Sequence, residues 1–245
     1  MSLTSQIGKI FEKIIKTEIV VYLERNGLIS DSQHGFRSKR SCLTNLLEFM
    51  NIITNYIDNG DAVDVIYLDF QIAFDKVSHA RLIEKIKALG IDGKVLQWIK
   101  AWLTGRMQRV VLDGEQSSWQ DVLSGVPQGS VLGPILFIIF INDLEAGIKS
   151  RILKFADDAK LIGKVASVED LQTIKKDLEN LWKWSEDWQM KFNVEKCKIM
   201  HIGYKNNKEK FELGGKELIE VEEEKDLGVV VRDNLKVRSQ CVTLR

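Results

Sequence analysis

Proline is almost missing from this chain: Pro127 and Pro134 are the only two among 245 residues, and both fall in the segment Ser124–Pro134. Rigid turns are therefore concentrated at one place. Cysteine is scarce too. Cys42, Cys197 and Cys241 lie far apart, with no close pair and no metal-ligand spacing. This argues against a disulfide framework or a thiolate metal site, and for reduced thiols in an intracellular protein. Net charge is absent, with 35 basic against 35 acidic residues. Isolated nucleic-acid binders are usually basic, so the balance argues against tight stand-alone binding of that kind. The longest uninterrupted apolar run, Pro134–Ile141, is too short to cross a bilayer, so no membrane partner is expected. No internal repeat, low-complexity linker or signal peptide is visible.

What is present suffices for a sizeable core: 44% of residues are hydrophobic, enough for one large unit or two joined lobes. Charge is unevenly placed. Lys and Arg recur through 9–40, 191–210 and 232–245, while Glu217–Asp226 is acidic. The basic runs could line a groove or form solvated faces. Ile7 to Leu28 reads as an amphipathic helix through Ile10, Phe11, Ile14, Ile15, Val20, Val21 and Leu23, and a second helix spans Leu43 to Ile57. Further helices are expected at Ala80–Leu89, stopped by Gly90, and after Asp92 as cap, with Val95, Trp98, Ile99 and Trp102 on one face. Arg106–Leu112 reads as a strand. Ser167 and Asp170 suggest a capping box for a helix whose core stripe is Leu171, Ile174, Leu178 and Leu181. Trp182, Trp184 and Trp188 fall in that setting, where packing is favoured over base stacking.

The chemistry centres on aspartates. Asp157 and Asp158 stand side by side between two apolar flanks (Ile152, Leu153, Phe155; Leu161, Ile162) that read as a hairpin bent at Ala156–Ala159. Asp is common in turns, so the pair alone is ambiguous. Two like charges ~4 Å apart repel by ~4 kcal/mol at an effective dielectric of ~20, which calls for a compensating cation. Asp69 ends the near-continuous apolar run Ala62–Leu68, the pattern of a strand covered on both faces. An aspartate there is costly unless it faces a site. Few, hard oxygen ligands suit Mg²⁺ that keeps waters and takes its remaining ligands from phosphate. Between these sites lies Ser124-Gly-Val-Pro-Gln-Gly-Ser-Val-Leu-Gly-Pro134, followed by an apolar, buried helix expected over Ile135–Leu144. Its glycines allow close backbone approach, and Gln128 offers both a donor and an acceptor. The order of elements approximates β-α-β-β-α-β, a split βαβ sheet that sets Asp69 and the hairpin tip on neighbouring strands.

Tyr67-Leu-Asp69-Phe-x-x-Ala-Phe74-Asp75, the Ser124–Phe137 segment and Phe155-Ala-Asp-Asp158 resemble the core motifs of reverse transcriptases, in detail those of non-LTR (LINE-type) retrotransposons of the Jockey and chicken-repeat branch. Gln33-His-Gly-Phe-Arg-Ser-Lys-Arg-Ser41, Met190–Lys198 and Lys225-Asp-Leu-Gly-Val229 extend the similarity over essentially the whole chain. The resemblance implies an α+β right-hand polymerase fold. Fingers would occupy about 1–60 and part of 76–112, palm and primer grip about 61–75 and 113–230, and a thumb connection would start at 231–245. It implies an RNA-directed DNA polymerase that uses two Mg²⁺ ions, with Mn²⁺ as an alternative. Its partners would be an RNA template, a DNA primer from nicked target DNA and deoxynucleoside triphosphates. Nucleus and cytoplasm are the expected compartments, although no targeting signal is evident.

By that resemblance Asp69 and Asp157, with the Phe70 carbonyl, would hold the metals, and Asp158 would be the third carboxylate. Arg37 and Arg40 would grip the triphosphate, a role bidentate guanidinium suits, with solvated arginine as the alternative. Phe74, five positions after Asp69, would be an aromatic gate against a ribose 2′-hydroxyl or, alternatively, core packing. Gln128 and Gly129 would support nucleotide and template, and Leu227 and Gly228 would form the primer grip. Lys196 would donate a proton to pyrophosphate, with Lys198 as its rival. Ile72 departs from the lysine of many relatives. The chain is expected to be a fragment whose thumb and upstream endonuclease lie elsewhere. Two other readings remain: an inactive or co-opted remnant that binds RNA, and a nucleotide cyclase, which would not need a primer-grip segment.

Overall fold

The computed structural model describes residues 5–236. Its helices are α1 (Gln6–Arg25), α2 (Cys42–Asp58), α3 (His79–Ala88), α4 (Gly93–Leu103), α5 (Gly133–Phe140) and α6 (Val168–Asp187). The principal strands are β1 (Ala62–Leu68), β2 (Arg151–Phe155), β3 (Asp158–Val165), β4 (Lys198–Ile202), β5 (Ile219–Glu220), β6 (Glu223–Asp226) and β7 (Val229–Arg232). Two compact units result. One comprises residues up to Ser30, Ile72–Asp143 and Trp188–Met190, and the other Asp31–Gln71, Leu144–Asp187 and residues from Lys191 on. Cys241 and most of the expected thumb connection lie outside the described residues. No described helix is long and apolar enough to cross a membrane.

The second unit is built on a five-stranded sheet ordered β5-β4-β1-β3-β2. β1 lies at its centre and is antiparallel to both β3 and β4. Val63, Val65, Leu153, Ile162, Met200 and Ile202 cover one face together with Phe49 and Ile53 of α2. On the opposite face α6 places Ile174 against Gly163. Covering on both faces explains why β1 is apolar nearly throughout, its seven residues buried or almost so. The exception, Asp64, is fully buried and accepts from His201 Nδ1 (2.7 Å) and Asn206 Nδ2 (2.7 Å). The expected box at the start of α6 forms, with Ser167 Oγ accepting from Asp170 N and Asp170 Oδ2 accepting from Ser167 N. Ile174, Leu178 and Leu181 are buried as expected, whereas Leu171, in the first turn, is only half-buried. β6 and β7 form a separate hairpin, and its two-residue turn, Leu227–Gly228, has both φ angles positive (47° and 89°).

The first unit carries α1, α3, α4 and α5. Pro134 opens α5, where its missing N–H costs nothing. The helix is buried all round but stops at Phe140, short of the expected Leu144, because 141–147 continues as turns. Three expectations are corrected here. Arg106–Leu112 is not one strand: Met107–Gln108 pairs with Gln120–Asp121 and Val111–Leu112 with Glu115–Gln116, all exposed. Asp92 occupies the cap of α4 without a side-chain hydrogen bond. The apolar face expected on α1 is only partly covered: Ile10, Phe11, Ile14 and Val21 are exposed, whereas Leu23 is buried as expected, together with Ile19 and Glu12. Glu12 is buried because its carboxylate accepts from Val131 N (2.7 Å), Leu132 N (3.2 Å) and Trp102 Nε1 (3.3 Å).

Candidate active site

In the sheet unit, β1 delivers Asp69 to the edge where the β2–β3 hairpin turns. Leu68 is paired with Ala159 and Phe155 with Asp158, so the chain turns on Ala156 and Asp157 alone and Asp158 already belongs to β3. The bend is two residues shorter than expected, since strand pairing reaches further towards the tip. Continuing the β1–β3 register by one step sets Asp69 across from Asp158. The carboxylates feel one another. Burial, then Asp157, Asp226 and Asp69, push the Asp158 carboxyl up to about 6 against the pull of Lys160. Asp69 is raised by burial and by Asp157, and Lys196 opposes the rise.

Backbone bonds fix this edge. Ala156 has φ 53°, a left-handed conformation that side chains disfavour, and its N–H donates to Gln33 Oε1 (3.0 Å). Gln33, itself buried, also accepts from Gly35 N (2.7 Å). Asp69 is gripped from the segment before β4. Asn193 N donates to its carbonyl (2.8 Å), and its own N–H donates to Cys197 Sγ (3.4 Å). Burial pushes the Cys197 thiol up to about 11, so it is a neutral packing and hydrogen-bonding group. Phe70 stacks on Phe192 (centroids 4.6 Å). Lys196 is exposed, whereas Lys198 bonds Glu224 (2.6 Å).

Arg37 and Arg40 lie in the loop before α2, within one charged network. Both approach Asp31 (3.7 and 3.5 Å), and Arg40 also approaches Glu48 (3.5 Å). His34 bridges Thr44 and Glu48, its pKa lowered by burial and by Arg40. Leu227 and Gly228 form the hairpin turn described above.

The remaining predicted residues belong to the other unit. Phe74 is half-buried and stacks on Phe137 (4.4 Å). Gln128 Nε2 donates to both carboxylate oxygens of Asp75 (3.3 Å each), and Gly129 has φ 87° with open space beside it. The loop is seated on the segment after Phe74. Val126 N donates to Phe74 O (2.8 Å), Gly125 N to Val77 O (2.8 Å) and Ser124 Oγ to Asp75 O (2.8 Å). A Cβ on Gly125 would come within 2.7 Å of the Asp75 backbone, and its φ is 88°, so only glycine fits. Ile72 is exposed with φ 50°, a strained value for a β-branched residue.

Among the described residues no three His, Cys, Asp or Glu side chains form a ready-made metal cage. The acidic oxygens clustered at this edge, with the Asp69 and Asp158 carboxyls raised, instead fit a hard cation that takes further ligands from phosphate and water.

This chain carries Asp69 and the Asp157–Asp158 pair at one edge of its five-stranded sheet. It is a member of the reverse transcriptase (RNA-dependent DNA polymerase) family, matched over residues 1–231. It is 30% identical over 205 residues to the RNA-directed DNA polymerase from mobile element jockey of Drosophila melanogaster, covering 80% of this chain and 22% of that protein. The Drosophila funebris counterpart is 30% identical over 254 residues, covering 100% of this chain and 28% of that protein. The chain thus spans about a quarter of the length of these curated relatives. In fold it is similar to apo telomerase from Candida tropicalis, with TM-score 0.61 and 13% identity over 94% of this chain and 40% of that one.

Proposed function

We propose that this chain is the fingers and palm of a non-LTR retrotransposon reverse transcriptase, which adds deoxynucleotides to a primer 3′-hydroxyl on an RNA template. The observation that carries the reading is the register that sets Asp69 across from Asp158 at the two-residue turn bearing Asp157. In this reading Asp69, Asp157 and the Phe70 carbonyl would hold two divalent ions, Mg²⁺ or Mn²⁺. Bound metal would activate the 3′-hydroxyl and neutralise charge on the leaving pyrophosphate.

The chain's own residues do the rest. Asp158 lies closest to the primer terminus, and Leu227–Gly228 holds the primer backbone. Lys196 donates a proton to pyrophosphate; its exposure and its influence on Asp69 support this, while the bond to Glu224 engages Lys198. Arg37 and Arg40 trade Asp31 for the triphosphate, a modest exchange because their ion pairs are long and Asp31 is exposed. Gln128 and Gly129 support the nucleotide, and Phe74 selects the sugar. The sheet unit corresponds mainly to palm, with α2 and its preceding loop as fingers.

RNA-templated primer extension tests the proposal. Asp157→Asn should lower the rate by more than the ~10²–10³ lost with one electrostatic stabiliser, and removing divalent metal should abolish it. Metal-independent extension, or a near-parental rate for the variant, would overturn the assignment.

A further inference from the structure

Among the described residues the β6–β7 hairpin shares no ladder with the five-stranded sheet. It is tethered at one end, where β6 follows β5 after two residues and Val221 N donates to Ile199 O (2.9 Å), and side-chain contacts must set the rest of its position. β6 turns Glu224 and Asp226 to one side. Across from them lie Val231 and Val229, and Val231 joins the hydrophobic core. Glu224 bonds Lys198 (2.6 Å), and Asp226 bonds Lys160 in an ion pair whose side chains are each only 5% exposed. These lysines flank Tyr67 in one cross-strand row, Lys160 on β3 and Lys198 on β4. The Lys160 ammonium also lies over the Phe49 ring, 4.4 Å from its centroid, which holds it from a third side. In sequence the pair joins two points of interest. Lys160 follows Asp158 by two residues on the same face of β3, and Asp226 immediately precedes the Leu227–Gly228 turn.

A dry ion pair tolerates little displacement, because separating its members leaves a buried charge without compensation. We propose that Lys160 and Asp226 are positioning residues that fix the Leu227–Gly228 turn relative to the strand bearing Asp158. A primer terminus held by the turn is thereby aligned with the carboxylate centre. The proposal rests on the polymerase reading given above. A displacement of about 1 Å at a reacting terminus can cost ~10²-fold in rate.

Steady-state primer extension with Asp226→Asn and Lys160→Met tests it. Both variants should lose ~10²-fold in kcat/KM for primer–template, with KM for the deoxynucleotide within about twofold of the parent. Saturating Mg²⁺ should not repair the loss, and exchanging the pair (Lys160→Asp with Asp226→Lys) should recover about tenfold or more. Hydrogen exchange at 223–232 should quicken in the single variants. The proposal is overturned if high Mg²⁺ restores the parental rate, which would mean that the pair acts only through charge at the metal site. It is equally overturned if melting temperature falls while both kinetic constants stay parental, or if the nucleotide KM rises alongside the primer KM. Asp157→Asn serves as the control. Retained activity there defeats the polymerase reading itself, whereas an inactive Asp157→Asn beside a parental Asp226→Asn defeats only this proposal.

Discussion

Replacing Asp158 by asparagine is expected to stabilise the metal-free protein while removing the carboxylate. Its carboxyl is pushed from 3.8 to about 6 by burial and three neighbouring aspartates. About two pKa units correspond to roughly 3 kcal/mol against the charged form. The residue is only partly sheltered and part of its surface stays open to solvent, so screening reduces the figure to ~1–2 kcal/mol. The sign follows from the direction of the shift. A raised carboxyl pKa means stability fully present below about pH 4 and lost as pH rises through about 6. Asparagine carries no charge to lose, so the variant's advantage should be absent near pH 4 and maximal above pH 7. For a chain of this size that is a rise of ~3–6 °C in melting temperature. Calorimetric melts in chelator at the two pH values read it directly. Adding Mg²⁺ should raise the melting temperature of the parent more than that of the variant, because the ion binds the folded form and the variant offers it one carboxylate fewer beside Asp69 and Asp157. A variant no more stable than the parent at pH 7.5, or equally favoured at both pH values, would refute the electrostatic reasoning.

Three other outcomes are expected. Gln33→Leu removes the acceptor shared by the Ala156 and Gly35 N–H groups; it should cost ~2–4 kcal/mol in denaturant unfolding, and Gln33→Glu, which keeps an acceptor, should cost less. Phe74→Ala breaks the stack on Phe137 and should cost ~2–3 kcal/mol. It should also raise ribonucleotide over deoxyribonucleotide incorporation, and unaltered selectivity would leave Phe74 with packing alone. Tyr67→Phe should be neutral or slightly stabilising in thermal melts, because the buried hydroxyl has no hydrogen-bond partner among the described residues; a loss above ~1 kcal/mol would reveal a bond beyond those.

What could be read from sequence was set by short-range pattern. The strand ending at Asp69, the hairpin at Asp157, the Ser167–Asp170 box and the buried helix after Pro134 each follow from residues within a few positions of one another. The periodicity of α1 shows the helix and an apolar face but not what covers that face. Glu12 points inward instead, reaching Val131, 119 residues away. Gln33 and Ala156 are separated by 123 residues, and Lys160 and Asp226 by 66. No local pattern pairs such residues, although two signals pointed towards them. Gln33 opens a recognised motif, and Asp226 adjoins the primer-grip dipeptide. The sequence of 106–112 fits one long strand as well as the two short, exposed pairs that form.

Diffraction from the protein bound to primer–template, a non-reactive deoxynucleotide and Mn²⁺ addresses the central claim most directly. Anomalous peaks should lie within ~2.0–2.3 Å of carboxylate oxygens from both Asp69 and Asp157 and of nucleotide phosphate oxygens. Manganese bound elsewhere, or held by the nucleotide phosphates with neither aspartate as a ligand, would contradict it.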